Sequence, residues 1–180
     1  MFDEAARIER LTVTEGRRIL VVSDIHGNLP YFKGVLARAG FSDRDELIVD
    51  GDFLEKGADS LGTLRFLMEL CRRGNTHALL GNCDGWSDIF RSDARDEQLL
   101  QYVLWRKSGL LWDMLNAAGL DPFEFESFAD CKRQLFERFQ EEWAFLARLP
   151  HAIETPHYIF AHAAVIPGKR LRESGVGTAG

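Results

Sequence analysis

Two side chains that can bind a metal follow an apolar run near the start of the chain. Residues 19–22 (Ile-Leu-Val-Val) predict a short strand buried on both faces, and Asp24 and His26 come directly after it. If the extended conformation continues past the strand, the carboxylate and the imidazole project to the same side. Gly27 and Asn28 then allow the backbone to turn sharply. This arrangement is half of a divalent-metal site, although a helix-capping Asp and a turn-filling His would give the same pattern.

Three further predicted strands end in polar groups of the same kind. The strands are residues 47–49, 76–80 and 157–161, and the groups that follow them are Asp52, Asn82 and His162. In a parallel sheet such ends lie side by side along one edge, which is where these sheets bind ligands. Taken singly, the three residues would pass for two turns and a buried strand histidine. Together, the carboxylates, the amide and the imidazoles predict a metal site with mixed oxygen and nitrogen ligands.

Helical periodicity between the strands completes an α/β pattern. Residues 29–39 predict one amphipathic helix and residues 60–73 another, with Asp59 or Ser60 as the cap of the second. The alternation of strands and helices favours a parallel sheet with right-handed crossovers. We expect residues 2–10 to form a short exposed helix or a frayed leader.

The stretch from about residue 86 to residue 149 differs because its periodicity is helical throughout. Helices are predicted at 96–107, 109–118 and 130–148. Six aromatic side chains are expected to build the core of this insertion: Trp105, Trp112, Phe136, Phe139, Trp143 and Phe145. The functional interpretation is a helical cap beside the site that shapes substrate access, and the alternative is plain packing.

Composition and charge exclude several classes of protein. At 180 residues with 46% hydrophobic and 28% charged residues, the chain predicts a single globular domain. A net charge of −6 with dispersed arginines argues against binding to a nucleic-acid polymer. No apolar run is long enough to span a membrane, and the acidic N-terminus lacks the pattern of a signal peptide. Cys71, Cys83 and Cys131 lack paired spacing, which is typical of a reducing compartment, so we expect the cytoplasm.

Four short motifs stand in a definite order along the chain. They are residues 23–28 (Ser-Asp-Ile-His-Gly-Asn), 51–57 (Gly-Asp-Phe-Leu-Glu-Lys-Gly), 81–84 (Gly-Asn-Cys-Asp) and 160–164 (Phe-Ala-His-Ala-Ala). In this order they resemble the motifs of the calcineurin-like metallophosphoesterases, and the layout is most similar to the phosphoprotein phosphatases and the symmetrical diadenosine tetraphosphatases. The resemblance covers about residues 17–168. It implies an α/β fold in which a sheet sandwich is flanked by helices and carries a helical insertion.

The resemblance also implies a metal-dependent phosphoesterase with two divalent cations, for which Mn²⁺ is preferred and Fe or Zn²⁺ are the alternatives. Asp24 and His26 would bind the first ion. Asn82 and His162 would bind the second, and Asp52 would bridge the pair. A water activated by the ions would attack phosphorus in line, without a covalent intermediate. The implied substrate is phosphorylated: a phosphomonoester on a protein or a small molecule, or a nucleotide anhydride.

Three positions depart from the phosphatase pattern and are candidate catalytic residues together with Asp52. Cys83 stands where the resemblance expects a histidine that donates a proton or a hydrogen bond to the substrate. Glu55 is a longer acid than the one expected to orient that histidine. Lys56 replaces an arginine and supplies a point charge instead of a bidentate fork. A neutral thiol is a poor proton donor, so we expect weaker protein-phosphatase chemistry and a different choice of substrate.

No histidine follows His162, whereas the resemblance expects further strands and a Gly-His element that completes both metal shells. We therefore expect a truncated chain in which the C-terminal part of the second sheet is missing. The alternative to an enzyme is a non-catalytic domain that binds a metal or a phosphorylated ligand. A nucleotide-binding domain with a glycine-rich loop is disfavoured, because no such loop follows the first strand.

Overall fold

The computed structural model describes residues 6–86 and 96–162. The strands are β1 (Ile8–Arg10), β2 (Arg18–Val22), β3 (Asp45–Asp50), β4 (Thr76–Leu79), β5 (Ala152–Glu154) and β6 (Ile159–Phe160). The helices are α1 (Leu29–Ala39), α2 (Ser60–Arg72), α3 (Asp96–Arg106), α4 (Leu110–Ala118), α5 (Phe128–Arg138) and α6 (Gln140–Arg148), with a 3₁₀ helix at Pro122–Glu124. None of these helices is both long enough and apolar enough to cross a membrane.

The sheet that carries the first three motifs is parallel, in the order β2-β3-β4. Val22 lies beside Val49 and Asp50 lies beside Leu79, so the three strands end at one edge. The helices α1 and α2 connect successive strands. The predicted parallel α/β arrangement is therefore confirmed for the first three strands, and it gathers the loops that follow them. The fourth predicted strand, at residues 157–161, is wrong as a member of this sheet, because Ile159–Phe160 pairs antiparallel with Ala152–Glu154 in the second sheet.

The second sheet joins segments that are distant in sequence. Its order is β1-β5-β6, with β1 parallel and β6 antiparallel to β5. The expectation of a helix or frayed leader at residues 2–10 is wrong for Ile8–Arg10, which pairs with Ala152–Glu154, while residues 2–5 lie outside the described part. A strand of three residues is too short to show a periodicity, and its hydrogen bonds come from a remote segment.

Apolar side chains cover both faces of β3. Leu47 and Val49 belong to the large core shared with the helices, whereas Ile48 packs with Leu79 and Ile153 between the two sheets. The described chain is therefore a sandwich of two small sheets with helices on the outer face of the parallel one. This arrangement confirms the predicted fold class.

Strand β2 is less buried than predicted. Val21 is 51% exposed, so the expectation of a strand buried on both faces is wrong at this residue. Val21 lies beside Ile48 on the same face of the sheet, and the described second sheet covers Ile48 but leaves Val21 exposed.

Side-chain caps start both crossover helices. The Asn28 side chain accepts the Tyr31 N–H at 3.2 Å before α1. Asp59, and not Ser60, caps α2, since its carboxylate accepts the Gly62 N–H at 2.7 Å. Both helices therefore begin directly after the motif loops, and this fixes the loops to rigid elements.

The insertion is helical, as predicted, but two details differ. The single helix expected at residues 130–148 is two helices that meet at Phe139, where the backbone leaves helical geometry with φ −120° and ψ 38°. Trp105 is 81% exposed and Phe136 is 44% exposed, so these two aromatics do not belong to the core. Residues 87–95 and 163–180 lie outside the described part.

Candidate metal centre

Main-chain hydrogen bonds hold the loops after β2 and β3 side by side. The Asp24 N–H donates to the Gly51 carbonyl at 3.2 Å, and the His26 N–H donates to the Asp52 carbonyl at 2.9 Å. The pairing of the two parallel strands thus continues into the loops. These main-chain hydrogen bonds bring the first two motifs together.

The backbone of the motif residues is left-handed. Asp24, His26 and Asp52 have φ angles of 55°, 49° and 51°. The assumption that the extended conformation continues past β2 is therefore wrong. The N–H groups of Asp24 and His26 are held by carbonyl groups of the neighbouring loop, and the backbone is left-handed at both residues. The two side chains meet nevertheless, with His26 Nε2 at 3.6 Å from Asp24 Oδ1. Positive φ costs free energy at residues other than glycine, and such positions concentrate at functional sites.

Asp52 lies buried at the centre of the cluster. Its Oδ2 atom is 3.8 Å from His26 Nε2, and its Oδ1 atom is 3.4 Å from His162 Nε2. Two groups of candidate ligands lie within 4.8 Å of one another: His26, Asp52 and Cys83, and Asp24, Asp52 and His162. Because Asp52 belongs to both groups, this geometry could hold two cations with one carboxylate between them. Cys83 lies among the ligand atoms, although it was not predicted as a ligand.

Both histidines turn the same ring nitrogen toward Asp52. His26 Nδ1 lies 3.3 Å from the Leu54 carbonyl, and His162 Nδ1 lies 2.8 Å from the Asp50 carbonyl. A carbonyl only accepts, so a neutral imidazole carries its hydrogen on Nδ1 and keeps the Nε2 lone pair for the cluster. Burial lowers the pKa of His162, but the contact with the Asp50 carbonyl and the nearby carboxylates together raise it by more. The net shift of the pKa is therefore upward. The neutral form of each ring fits a divalent metal.

Asp84 positions the loop that carries Asp52. Its Oδ2 atom accepts the N–H groups of Asp52 at 2.7 Å and Gly81 at 2.8 Å, and its Oδ1 atom accepts the Leu54 N–H at 3.0 Å. Burial raises the pKa of Asp84 to about 7, against the lowering effect of these bonds. The third motif contains this acid, but it was given no role. The available signal was an acid at a turn, where backbone N–H groups need acceptors.

Cys83 lies in the cluster, and Asn82 contacts it from the solvent side. The Cys83 N–H donates to Asp52 Oδ1 at 2.8 Å. Burial and the Asp52 carboxylate raise the pKa of the Cys83 thiol to about 11, so the thiol is protonated at neutral pH. The exposed Asn82 amide donates to Cys83 Sγ at 3.5 Å.

Lys56 contacts one of the histidines directly. Its ammonium lies 3.1 Å from His26 Nε2 and donates to the lone pair of the neutral ring. The φ angle of Lys56 is 63°, in the left-handed region like those of Asp24 and His26. The loop therefore delivers a positive charge to the edge of the carboxylate cluster.

Glu55 turns away from the cluster and toward the insertion. Its Oε1 atom accepts the Leu110 N–H at 2.8 Å, and the Trp86 side chain also hydrogen-bonds to the carboxylate. Burial raises the pKa of Glu55, although these bonds lower it in part. Glu55 caps α4, whose own N-cap residue, Gly109, has no side chain to do so.

A cavity of about 270 Å³ opens beside the cluster. Its lining combines predicted site residues with residues of the insertion: Glu55, Lys56, Asn82, Cys83, Trp86, Tyr102 and Arg106. Sequence reasoning missed the last three. For Tyr102 and Arg106 nothing in the local pattern of α3 shows which of its faces meets the motif loops, and Trp86, which follows the third motif, was assigned no role.

A protein-family model and curated proteins are similar to this chain. A family model described as calcineurin-like phosphoesterase matches residues 17–164. The symmetrical bis(5'-nucleosyl)-tetraphosphatase of Buchnera aphidicola is 40% identical over 67 residues, which are 37% of this chain and 24% of that protein. The match thus spans about a quarter of the relative's length.

Solved structures share the fold. A crystal structure described as a candidate diadenosine tetraphosphatase has a TM-score of 0.55 and 24% identity, over 92% of this chain and 58% of that one. A protein serine/threonine phosphatase from Saccharomyces cerevisiae, described as similar to human phosphatase PP5, has a TM-score of 0.55 and 15% identity. That likeness covers 96% of this chain and 47% of the yeast chain.

Proposed function

The chain belongs to the calcineurin-like phosphoesterase family, and we propose that it hydrolyses a phosphomonoester or a nucleotide anhydride with the help of two divalent cations. The observation that carries this proposal is the geometry around Asp52. Each oxygen of this buried carboxylate faces the Nε2 atom of a different histidine, His26 or His162. A carboxylate in that position can bridge two cations.

The chemistry of the donor groups fits such ions. Asp24 and His26 would bind one ion, and Asn82 and His162 the other, with Mn²⁺ preferred over Fe or Zn²⁺ for a set of oxygen and imidazole ligands. When bound, the pair would polarise a phosphoryl group and lower the pKa of a water. The Nδ1 contacts of both imidazoles to backbone carbonyls hold the rings in the ligating tautomer.

The remaining predicted residues act around this centre. Lys56 would neutralise charge on the phosphate as a point cation. Cys83 would keep its proton at neutral pH and can donate only a weak hydrogen bond. Glu55 would act as a positioning residue through its bond to Leu110, and not by touching the substrate.

A non-catalytic binding domain is the second candidate. The observation that favours it is the contact of Lys56 with His26 Nε2, because the ammonium uses a lone pair that one of the two cations would need, whereas the group of Asp24, Asp52 and His162 can still bind a single cation. Binding of a cation at His26 then requires the Lys56 side chain to move aside.

We expect the chain to act in the cytoplasm, and we expect the insertion to cap the site.

Hydrolysis of p-nitrophenyl phosphate with added Mn²⁺ tests the proposed function. The wild-type chain should be active, and chelation of the metal should abolish the activity. Asp52→Asn should lower kcat by about a hundredfold or more, because the neutral amide cannot bridge two cations. Asp43→Asn, a change at an exposed acid, is the matched control and should leave kcat unchanged.

Calorimetric titration with Mn²⁺ separates the two candidates. A folded wild-type chain that binds Mn²⁺ but hydrolyses nothing would favour the binding domain. Activity that persists in Asp52→Asn would contradict the assignment of Asp52 as the bridge.

A further inference from the structure

We propose that Cys83 is a further cation ligand, whose sulfur joins His26 and Asp52 around one of the two ions and makes that position selective for a thiophilic divalent cation such as Zn²⁺. The other group of candidate ligands, which is Asp24, Asp52 and His162, has only oxygen and imidazole donors and keeps its preference for Mn²⁺. The inference rests on the proposed function in one respect, because it needs a cluster that binds cations, but it needs no turnover.

Three donor atoms of different kinds meet within the cluster. The Cys83 Sγ atom, the His26 Nε2 atom and a carboxylate oxygen of Asp52 lie within 4.8 Å of one another. Three protein ligands that leave a further position open are the usual set at a catalytic zinc site. Sulfur and imidazole donors favour Zn²⁺, whereas carboxylates and waters suit Mn²⁺. The two groups of candidate ligands therefore differ in softness, and Cys83 makes the difference.

Two hydrogen bonds hold Cys83 in the orientation that this role needs. Its N–H donates to Asp52 Oδ1 at 2.8 Å, which fixes the main chain beside the carboxylate. The Asn82 side-chain amide donates to Cys83 Sγ at 3.5 Å. A donor at the sulfur stabilises negative charge there, as the outer partners of metal ligands do.

A positive charge already lies at this position. The Lys56 ammonium is 3.1 Å from His26 Nε2, the atom that would bind the cation. Burial and the Asp52 carboxylate raise the pKa of the Cys83 thiol to about 11, and the Lys56 charge lowers it in part. The ammonium is therefore a monovalent stand-in for the ion, which balances part of the negative charge of the cluster but leaves the thiol protonated.

The sulfur changes its state when a divalent cation binds. A coordinating thiol is deprotonated, because the cation stabilises the thiolate far more than a neighbouring ammonium does. The S–H bond breaks as the bond from sulfur to the cation forms, the electron pair stays on sulfur, and the proton leaves to solvent. The two positive charges of the ion then balance the negative charges of Cys83 and Asp52.

Absorption spectroscopy with Co²⁺ tests this inference without turnover. Zn²⁺ has a filled d shell and no visible spectrum, whereas Co²⁺ in its place gives a charge-transfer band in the near ultraviolet when a thiolate binds it. The wild-type chain, with Co²⁺ in excess and oxygen excluded, should show this band, and Cys83→Ser should lack it. Cys71→Ser, a change at a free cysteine of α2, is the matched control and should keep the band.

Competitive titrations distinguish a ligand from a residue that only supports the loop. Affinities for Zn²⁺ and Mn²⁺ are measured for the wild-type chain and Cys83→Ser against a chromophoric chelator. Serine keeps the size of the side chain and offers oxygen in place of sulfur. The variant should therefore lose about tenfold or more in affinity for Zn²⁺ and stay within about threefold for Mn²⁺. A purely structural role would lower both affinities together.

Alkylation of the wild-type chain gives a measurement that needs no substitution. Zn²⁺ should slow the reaction of iodoacetamide with Cys83 more than Mn²⁺ does at equal saturation, because a thiolate bound to a cation is less available to the reagent. Mass spectrometry measures the rate at this residue. Equal rates with and without Zn²⁺ would contradict the inference even if Cys83→Ser failed to fold.

The outcomes separate this inference from the proposed function. A band that persists in Cys83→Ser, a wild-type chain without the band at saturating Co²⁺, or equal losses of affinity for Zn²⁺ and Mn²⁺ would overturn the inference while the proposed function stands. A wild-type chain that shows the band but hydrolyses no p-nitrophenyl phosphate contradicts the proposed function and supports the assignment of Cys83 as a ligand.

Discussion

At the scale of single residues, the carboxylate of Asp84 organises the centre without facing it. It accepts three backbone N–H groups, from Asp52, Leu54 and Gly81, and it is fully buried. These donors belong to the loops after β3 and β4, so one side chain joins two motifs. A buried donor that loses its acceptor costs about 1–3 kcal/mol, which makes this residue sensitive to substitution.

We predict that Asp84→Ala lowers the free energy of unfolding by about 3 kcal/mol or more, since three buried donors lose their acceptor. The variant should also bind Mn²⁺ more weakly, because the Asp52 loop is no longer held. Urea unfolding and calorimetric titration measure the two effects. Asp43→Ala, at an exposed acid, should change neither quantity. Native stability in Asp84→Ala would show that water or another group replaces the carboxylate.

At the scale of elements, the first turn of α4 depends on a side chain from a motif loop. Gly109 precedes the helix and makes no side-chain cap, and Glu55 accepts the Leu110 N–H in its place. The space is narrow, because a Cβ atom on Gly109, at φ 94°, would lie 2.7 Å from the Glu55 Cδ atom. The cap therefore couples the insertion to the loop that also presents Lys56.

We expect Glu55→Ala to lower the free energy of unfolding by about 1–2 kcal/mol, because the helix N-terminus loses its acceptor. Glu55→Gln keeps an amide oxygen for the Leu110 N–H and should lose much less. Hydrogen exchange at the Leu110 amide should become faster in the alanine variant, and urea unfolding gives the free energy. Glu137→Ala, at an exposed glutamate of α5, is the control. Unchanged exchange at Leu110 would contradict the capping role.

At the scale of the whole molecule, a histidine between two acids joins the two sheets. His77 of β4 places Nδ1 at 2.9 Å from Glu9 of β1 and Nε2 at 3.5 Å from Glu46 of β3. The hydrogen bond from His77 to Glu9 raises the pKa of His77, burial lowers it, and the charges of both glutamates raise it again, so that the net shift is upward. Glu46 is also paired with Arg17. The His77 ring thus bridges the two sheets of the sandwich.

This linkage predicts how stability changes with pH. The pKa of His77 is higher in the folded chain than in the unfolded chain, where it is about 6.5. The protonated ring therefore stabilises the fold fully at a pH below 6.5, and this stabilisation is lost as the pH rises through the pKa of the folded state. The free energy of unfolding of the wild type should therefore fall between pH 6 and pH 9 more than that of His77→Gln. Urea unfolding across this range measures both curves. His157→Gln, at an exposed histidine, should keep the slope of the wild type. Parallel curves for His77→Gln and the wild type would contradict the bridge.

Local sequence was enough to predict the parallel sheet, both crossover helices and four of the residues that meet at the cluster, which are Asp24, His26, Asp52 and His162. Buried strands such as β3 are continuous apolar runs, and the caps at Asn28 and Asp59 act within three residues. Parallel strands must also end at one edge, so the approach of the Asp24 and Asp52 loops could be inferred from the sequence. His162 reaches the cluster from the second sheet instead. These features depend on short-range sterics and on periodicity, which a sequence carries directly.

Only the tertiary structure decided what depends on remote partners. Strand β1 exists because β5 offers it hydrogen bonds, and the left-handed φ of Asp24 follows from its bond to Gly51 in the next loop. The turn of Glu55 toward α4, and the approach of Arg106 to the cavity, likewise join segments that are far apart in the chain. Such contacts are set by packing of whole elements, because the free energy that fixes a side chain comes from neighbours that no local pattern names.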